Sequence, residues 1–194
     1  VGSNSLALLS QASCPIMIIR PAKINGKCNQ LAGSMPGDSN LRHDTVWAKR
    51  VLLAIEDEEH ANVMLEQVTQ HHWSPRTYFK ICNVVTDMHK GANDNSKEDY
   101  SAIADAGELV AAVAGKVKNA LPDCIVDQLI LHGSPVLALM TEAAEWPADL
   151  VVVGSHGRAP AARWFLGSTS VPLLSQALCA VMVLRAAKEL VGEH

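Results

Sequence analysis

The chain has 194 residues, 48% of them apolar and 19% charged, which is enough for the packed core of one full domain and something extra. Its formal net charge is -4, its 16 basic residues are scattered, and aromatic residues make up only 4%, which excludes a stripe for nucleic acid or anionic membrane. No apolar run approaches the roughly 18 residues of a membrane span, and no basic stretch followed by an apolar one marks the N-terminus, so a cytoplasmic protein is expected.

The first segment, VGSNSLALLSQASCPIMIIR, reads as a helix followed by a β-rich run ending in Arg20. Nearly the same text returns as GSTSVPLLSQALCAVMVLR. Aligning residues 2–20 with 167–185 gives identity at Gly2, Ser3, Ser5, Leu8, Leu9, Ser10, Gln11, Ala12, Cys14, Met17 and Arg20, 11 positions of 19, which marks an internal repeat. The chain begins with Val1 rather than Met, which fits a piece of something longer. Residues 21–48 are rich in Gly, Ser, Asn and Pro without sustained periodicity and read as a linker long enough to be mobile.

From Lys49 onward strand-like and helix-like segments alternate. Residues 50–56 (RVLLAIE) form a short apolar run suited to a strand buried on both faces. Residues 60–72 read as a helix with Val63, Leu65 and Val68 turned inward, and residues 77–85 as a second strand. The polar stretch DMHKGANDNSKED then reads as a surface loop. Ile103, Ala106, Val110, Val113, Val117 and Leu121 recur at spacings of three and four, one face of a long helix closed by Pro122. Residues 124–131 give a third strand, Gly133-Ser134-Pro135 opens a helix that runs to Glu145, residues 149–153 give a fourth strand and residues 180–184 a fifth. This order implies an α/β fold, a parallel sheet joined by right-handed crossovers.

Chemistry concentrates in DLVVVGSHGRAPAARWFLGSTS. A buried strand ends at Gly154; two residues lead to Gly157, and nine more to Gly167-Ser168, where a helix is expected to start. Glycines at a strand exit let backbone approach a ligand closely. The unpaired amides of a helix N-terminus, with the hydroxyls of Ser168, Thr169 and Ser170, suit an anion such as phosphate, and Arg158 and Arg163 add charge. The same residues can instead turn the chain and cap the helix. Trp164 and Phe165 read as packing residues that hold the loop down.

That full spacing resembles the G-2x-G-9x-G-[S/T] motif of nucleotide-binding members of the universal stress protein family. The resemblance extends over residues 49–187, followed by a tail at 188–194, and makes residues 1–20 the last helix and last strand of a preceding copy. It implies a Rossmann-like, open sheet of five parallel strands in the order 3-2-1-4-5 with helices on both faces. It further implies a stress-response regulatory module that binds ATP, or AMP or ADP. Carried over by position, the cofactor-binding residues would be Ala54, Ile55 and Glu56 at the first strand's end and Val84 against adenine. The phosphate and ribose would meet Val153, Gly154, His156, Gly157, Arg158, Gly167, Ser168, Thr169 and Ser170. In this family the last strand commonly pairs antiparallel with its equivalent in a partner. Residues 15–20 are therefore expected to pair with residues 180–185, within the chain or across a homodimer.

Glu56-Asp57-Glu58-Glu59 departs from the family pattern, which has Asp at the end of the first strand. Two readings stay open: four acids that repel phosphate unless Mg²⁺ intervenes, or a solvated first helical turn that complements the helix dipole. The departure keeps an alternative in view, a structural or interaction domain of this fold that binds no nucleotide. No HxGH, SGGxDS, GxSxG or HExxH signature points to an enzyme beyond slow ATP hydrolysis. His71, His72 and His89 lack metal-ligand spacing, and the five cysteines are odd in number and widely spaced, as expected of reduced thiols.

Overall fold

The computed structural model describes residues 16–18, 23–24, 27–28, 48–86, 97–155 and 167–184. Its elements are β1 (Ile16–Ile18), β2 (Lys23–Ile24), β3 (Lys27–Cys28), β4 (Arg50–Ala54), α1 (Glu58–Gln70), β5 (Tyr78–Val85), α2 (Lys97–Ala120), β6 (Ile125–His132), α3 (Pro135–Glu145), β7 (Leu150–Gly154), α4 (Ser170–Gln176) and β8 (Ala180–Leu184). The main sheet runs β1-β8-β7-β4-β5-β6.

Five of these strands are parallel and follow the expected 3-2-1-4-5 order, with β4 at the centre between β5 and β7. The expectation of a five-stranded, all-parallel sheet needs correction. A sixth strand, β1, joins antiparallel to β8, pairing Ile16 with Val183, Met17 with Met182 and Ile18 with Val181. The physical reason is the last strand's edge, whose backbone donors and acceptors need partners, and the N-terminal segment carries the same β-rich pattern. Within the expected linker a second, two-stranded antiparallel sheet joins Lys23 to Cys28 and Ile24 to Lys27. Between those strands the sequence reads Asn25-Gly26, a tight-hairpin pair that the compositional reading passed over.

Alternation along the strands divides the core into two layers. Val51, Leu53, Phe79, Ile81, Leu150, Val152 and Met182 face α1 and α2 through Met64, Leu65, Val68, Val110, Val113 and Val117. On the other face Leu52, Cys82, Val151, Val153, Val181 and Val183 meet Leu139 and Ala143 of α3 and Leu173 and Leu174 of α4. Alpha-helical periodicity located these stripes well, though α1 buries Ala61 and Met64 while Val63 stays half-buried. Helix α2 also starts at Lys97, earlier than its apolar stripe, and takes in the end of the expected loop. An ion pair, Lys80 Nζ to Glu142 Oε1 at 2.6 Å, docks α3 on β5, with the Lys80 ammonium 4.4 Å from the centre of the Trp146 ring.

The helix after β4 lies on one face and the helix after β7 on the other, although the two strands are hydrogen-bonded neighbours. Their chains therefore part at the carboxyl ends of β4 and β7 and leave a crevice, the place where open α/β sheets take ligands.

Candidate functional site

At the exit of β4, Ala54 is half-buried and Ile55 is buried, its N–H donating to the Cys82 carbonyl at 2.9 Å. Asn83 of β5 is buried as well, and its Nδ2 donates to the carbonyls of Ile55 at 2.9 Å and Glu56 at 3.2 Å. Glu56 itself is exposed. Asp57 is the N-cap of α1: its Oδ1 accepts from the His60 N–H at 2.9 Å, and the His60 Nδ1 lies 2.7 Å from its Oδ2. Glu58 and Glu59 follow as exposed residues of the first helical turn. Of the two readings of the acidic run, this geometry matches the helix cap with its dipole complement.

The exit of β7 is held differently. Val153 is buried, and the Ser155 N–H donates to the Leu184 carbonyl at 2.8 Å. From the far end of the loop, the Gly167 N–H donates back to the Ser155 carbonyl at 2.9 Å and the Ser170 hydroxyl donates to the Gly154 carbonyl at 2.8 Å. The helix starts at Ser170 with Thr169 as N-cap, two residues later than the sequence suggested, because Gly167 is used to close the loop. Ser168 is exposed, Thr169 half-buried and Ser170 buried with its hydroxyl engaged. A Cβ built on Gly154 would come 3.5 Å from the Met64 sulfur, an ordinary contact that places Met64 of α1 beside this exit.

Ala54, Ile55 and Glu56 thus end at the same edge of the sheet as Val153 and Gly154, with Gly167 tied to Ser155 and Ser170 to Gly154. Val84 lies one strand away, half-buried on the face of Cys82. His156, Gly157 and Arg158, with Arg163, Trp164 and Phe165, lie outside the described residues. Sequence reasoning missed Asn83 and Met64. The signal for Asn83 was a polar residue at an inward position of the apolar run YFKICNVV.

Cys82 and Cys124 are held as protonated, weakly nucleophilic thiols. Burial, followed by the nearby Glu142 carboxylate, pushes the Cys82 thiol far above its ordinary range, and burial with Asp123 raises Cys124. Among the described residues, Cys82, Cys124 and Cys179 form no disulfide, and no group of three His, Cys, Asp or Glu side chains is placed to hold a metal ion. Nor is any described helix long and apolar enough to cross a membrane.

The sequence model of the universal stress protein family matches residues 48–185. The chain belongs to that family. A universal stress protein of Mycobacterium tuberculosis is 27% identical over 187 residues, a match covering 95% of this chain and 56% of that protein. This universal stress protein chain therefore spans about half the length of the curated relatives it matches. In structure it is similar to the universal stress protein UspA from Lactobacillus plantarum, with a TM-score of 0.58 and 20% identity, covering 71% of this chain and 97% of that one. A second solved neighbour, a universal stress protein in complex with cAMP, gives a TM-score of 0.51 at 17% identity, covering 72% and 98%. At these identities the structural likeness speaks for the fold.

Proposed function

We propose that residues 49–187 bind an adenine nucleotide, ATP or its AMP and ADP relatives, in the crevice between the exits of β4 and β7, and act as a stress-response regulatory module in the cytoplasm. One observation carries the reading: the glycine-rich β7 exit and the hydroxyl-rich start of α4 are tied together at the switch of the sheet, beside the end of β4. A family neighbour held in complex with cAMP supports the adenine nucleotide as the ligand class. In this reading Val84 and Glu56 meet the adenosine, and Gly154, His156, Gly157, Arg158, Gly167, Ser168 and Thr169 meet ribose and phosphates. Mg²⁺ offsets the charge of Glu56 and its neighbours. Ser170 supports the loop through the Gly154 carbonyl. In this reading the module binds nucleotide with at most slow hydrolysis.

Titration calorimetry of the purified chain with ATP and Mg²⁺, beside Gly157→Val, tests this. Binding by the parent that the variant loses is expected; no heat and no thermal shift at millimolar ATP sinks the nucleotide reading, and equal binding by both removes the glycine loop from the site. The second reading, an interaction domain without nucleotide, is favoured by Glu56, which departs from the Asp of the family pattern the sequence resembles, and predicts the silent titration.

We further propose that residues 1–20 are the end of a preceding domain of the same family. The β1–β8 register supports this, because it centres on Met17 opposite Met182, which are equivalent positions of the two repeat copies. The pair therefore has a local two-fold axis, as two like domains meeting through like strands would have. Chains lacking residues 1–21 should expose the β8 edge and self-associate more than the parent; an unchanged oligomeric state and solubility would count against it.

A further inference from the structure

Strand β5 outlasts β4. Ala54 pairs with Cys82, and Asn83 lies one residue beyond the last ladder pair. The regular ladder ends there, and the Ile55 carbonyl needs a donor beside a core in which Ile55 is 3% exposed and Asn83 8%, while the part-buried Glu56 carbonyl lies within reach of the same amide. An Asn amide carries two N–H donors, and here Nδ2 reaches both carbonyls, at 2.9 Å and 3.2 Å. Since a carbonyl oxygen only accepts, the orientation of the amide is dictated by its neighbours. The two carbonyls belong to the peptide groups on either side of the Glu56 Cα. Tying both carbonyls to one amide restrains the φ and ψ of Glu56, and with them the direction in which its side chain leaves the backbone. The next residue, Val84, packs on the opposite face of the sheet beside Cys82. Asn83 thus stands between the two residues assigned to adenosine, joined to one by hydrogen bonds and to the other by the chain.

We propose that Asn83 is the positioning residue of the adenosine half of the site, acting through Glu56 and taking no part in holding phosphates. This rests on the adenine-nucleotide reading above. A purely structural Asn83 would, when replaced, lower stability and weaken every ligand alike; a positioning Asn83 separates base and ribose from phosphate.

The test uses the full chain with Asn83→Leu, which keeps bulk but has no donor, and Asn83→His, which keeps a ring N–H. Affinities for ATP, GTP and inorganic tripolyphosphate are measured by calorimetry at a temperature where circular dichroism shows each protein folded. For Asn83→Leu, ATP affinity should fall about tenfold and the preference for ATP over GTP should vanish, while tripolyphosphate stays within about twofold of the parent. Asn83→His should recover part of the ATP affinity. Parallel loss of ATP and tripolyphosphate, or unchanged ATP affinity in a folded variant, overturns the proposal. If Asn83→Leu does not fold, the same split or its absence in Asn83→His decides. Amide hydrogen exchange without ligand separates the two layers of the argument: residues 57–60 should exchange faster in the variants, and unchanged exchange there removes the clamp. A parent that binds no ATP removes the adenosine role along with the nucleotide reading, whatever the exchange shows.

Discussion

At the exit of β4 the chain turns into α1 through residues 55–57 alone, whereas residues 155–169 separate β7 from α4. The short exit is acidic, capped by Asp57 and pinned from the neighbouring strand by a buried amide. The long exit is rich in glycine and closed on itself by the Gly167–Ser155 and Ser170–Gly154 hydrogen bonds. A short connection holds side chains in fixed directions, which suits recognition of a base and sugar; glycines in a long one let backbone amides approach an anion closely. Asp57, Glu58 and Glu59 cap and complement the start of α1, while Glu56 stands before the helix, exposed.

Removing the cap tests the short exit most severely. Asp57→Ala should cost about 1 to 2 kcal/mol in urea unfolding, since it removes the acceptor of the His60 N–H along with the pairing to the His60 ring. A loss of a few tenths would mean that α1 is held by its core face alone. On the long exit, Ser170→Ala should cost about 1 kcal/mol, the usual worth of one internal hydrogen bond. Its signature is faster amide exchange at Gly167, and exchange like the parent's would show that the Ser155 carbonyl closes the loop unaided. The smallest effect reports on the dry strand beside the β4 exit. Cys82 keeps its proton when folded, because burial raises its pKa above the ordinary 9.0 that the unfolded chain recovers. Its contribution is therefore complete well below pH 9 and is lost as pH rises past it. Relative to Cys82→Ala, the parent should lose about 0.4 kcal/mol between pH 7 and pH 9. A gain over that range would mean that the thiol ionises more easily folded than unfolded.

Most elements were legible because their periods are strong. The helix opened by Ser134-Pro135 and the strand Ala180–Leu184 fall where the sequence placed them, since Pro at a first helical turn and a bounded apolar run leave little choice. The start of α4 was misplaced because Gly167-Ser168-Thr169-Ser170 offers several capping residues in a row, and only the hydrogen bond from Gly167 to Ser155, distant in sequence, selects among them. The acidic run was ambiguous for a related reason: capping and repulsion use the same side chains, and the difference lies in where the first helical N–H points.

By itself the sequence determined the alternation of strands and helices, the repeat between the two ends and the membership of a family, because periodicity, identity and spacing are properties of the chain read in order. The tertiary structure decided what depends on neighbours: that residues 16–18 lie along β8 within the same chain, that Asp57 caps α1 and that Ser170 supports the loop. It also decided that Asn83, one polar letter in an apolar word, holds both peptide groups of Glu56. A hydrogen bond across adjacent strands joins residues 27 and 28 positions apart, and no local pattern encodes such a partner until the sheet has brought the two together.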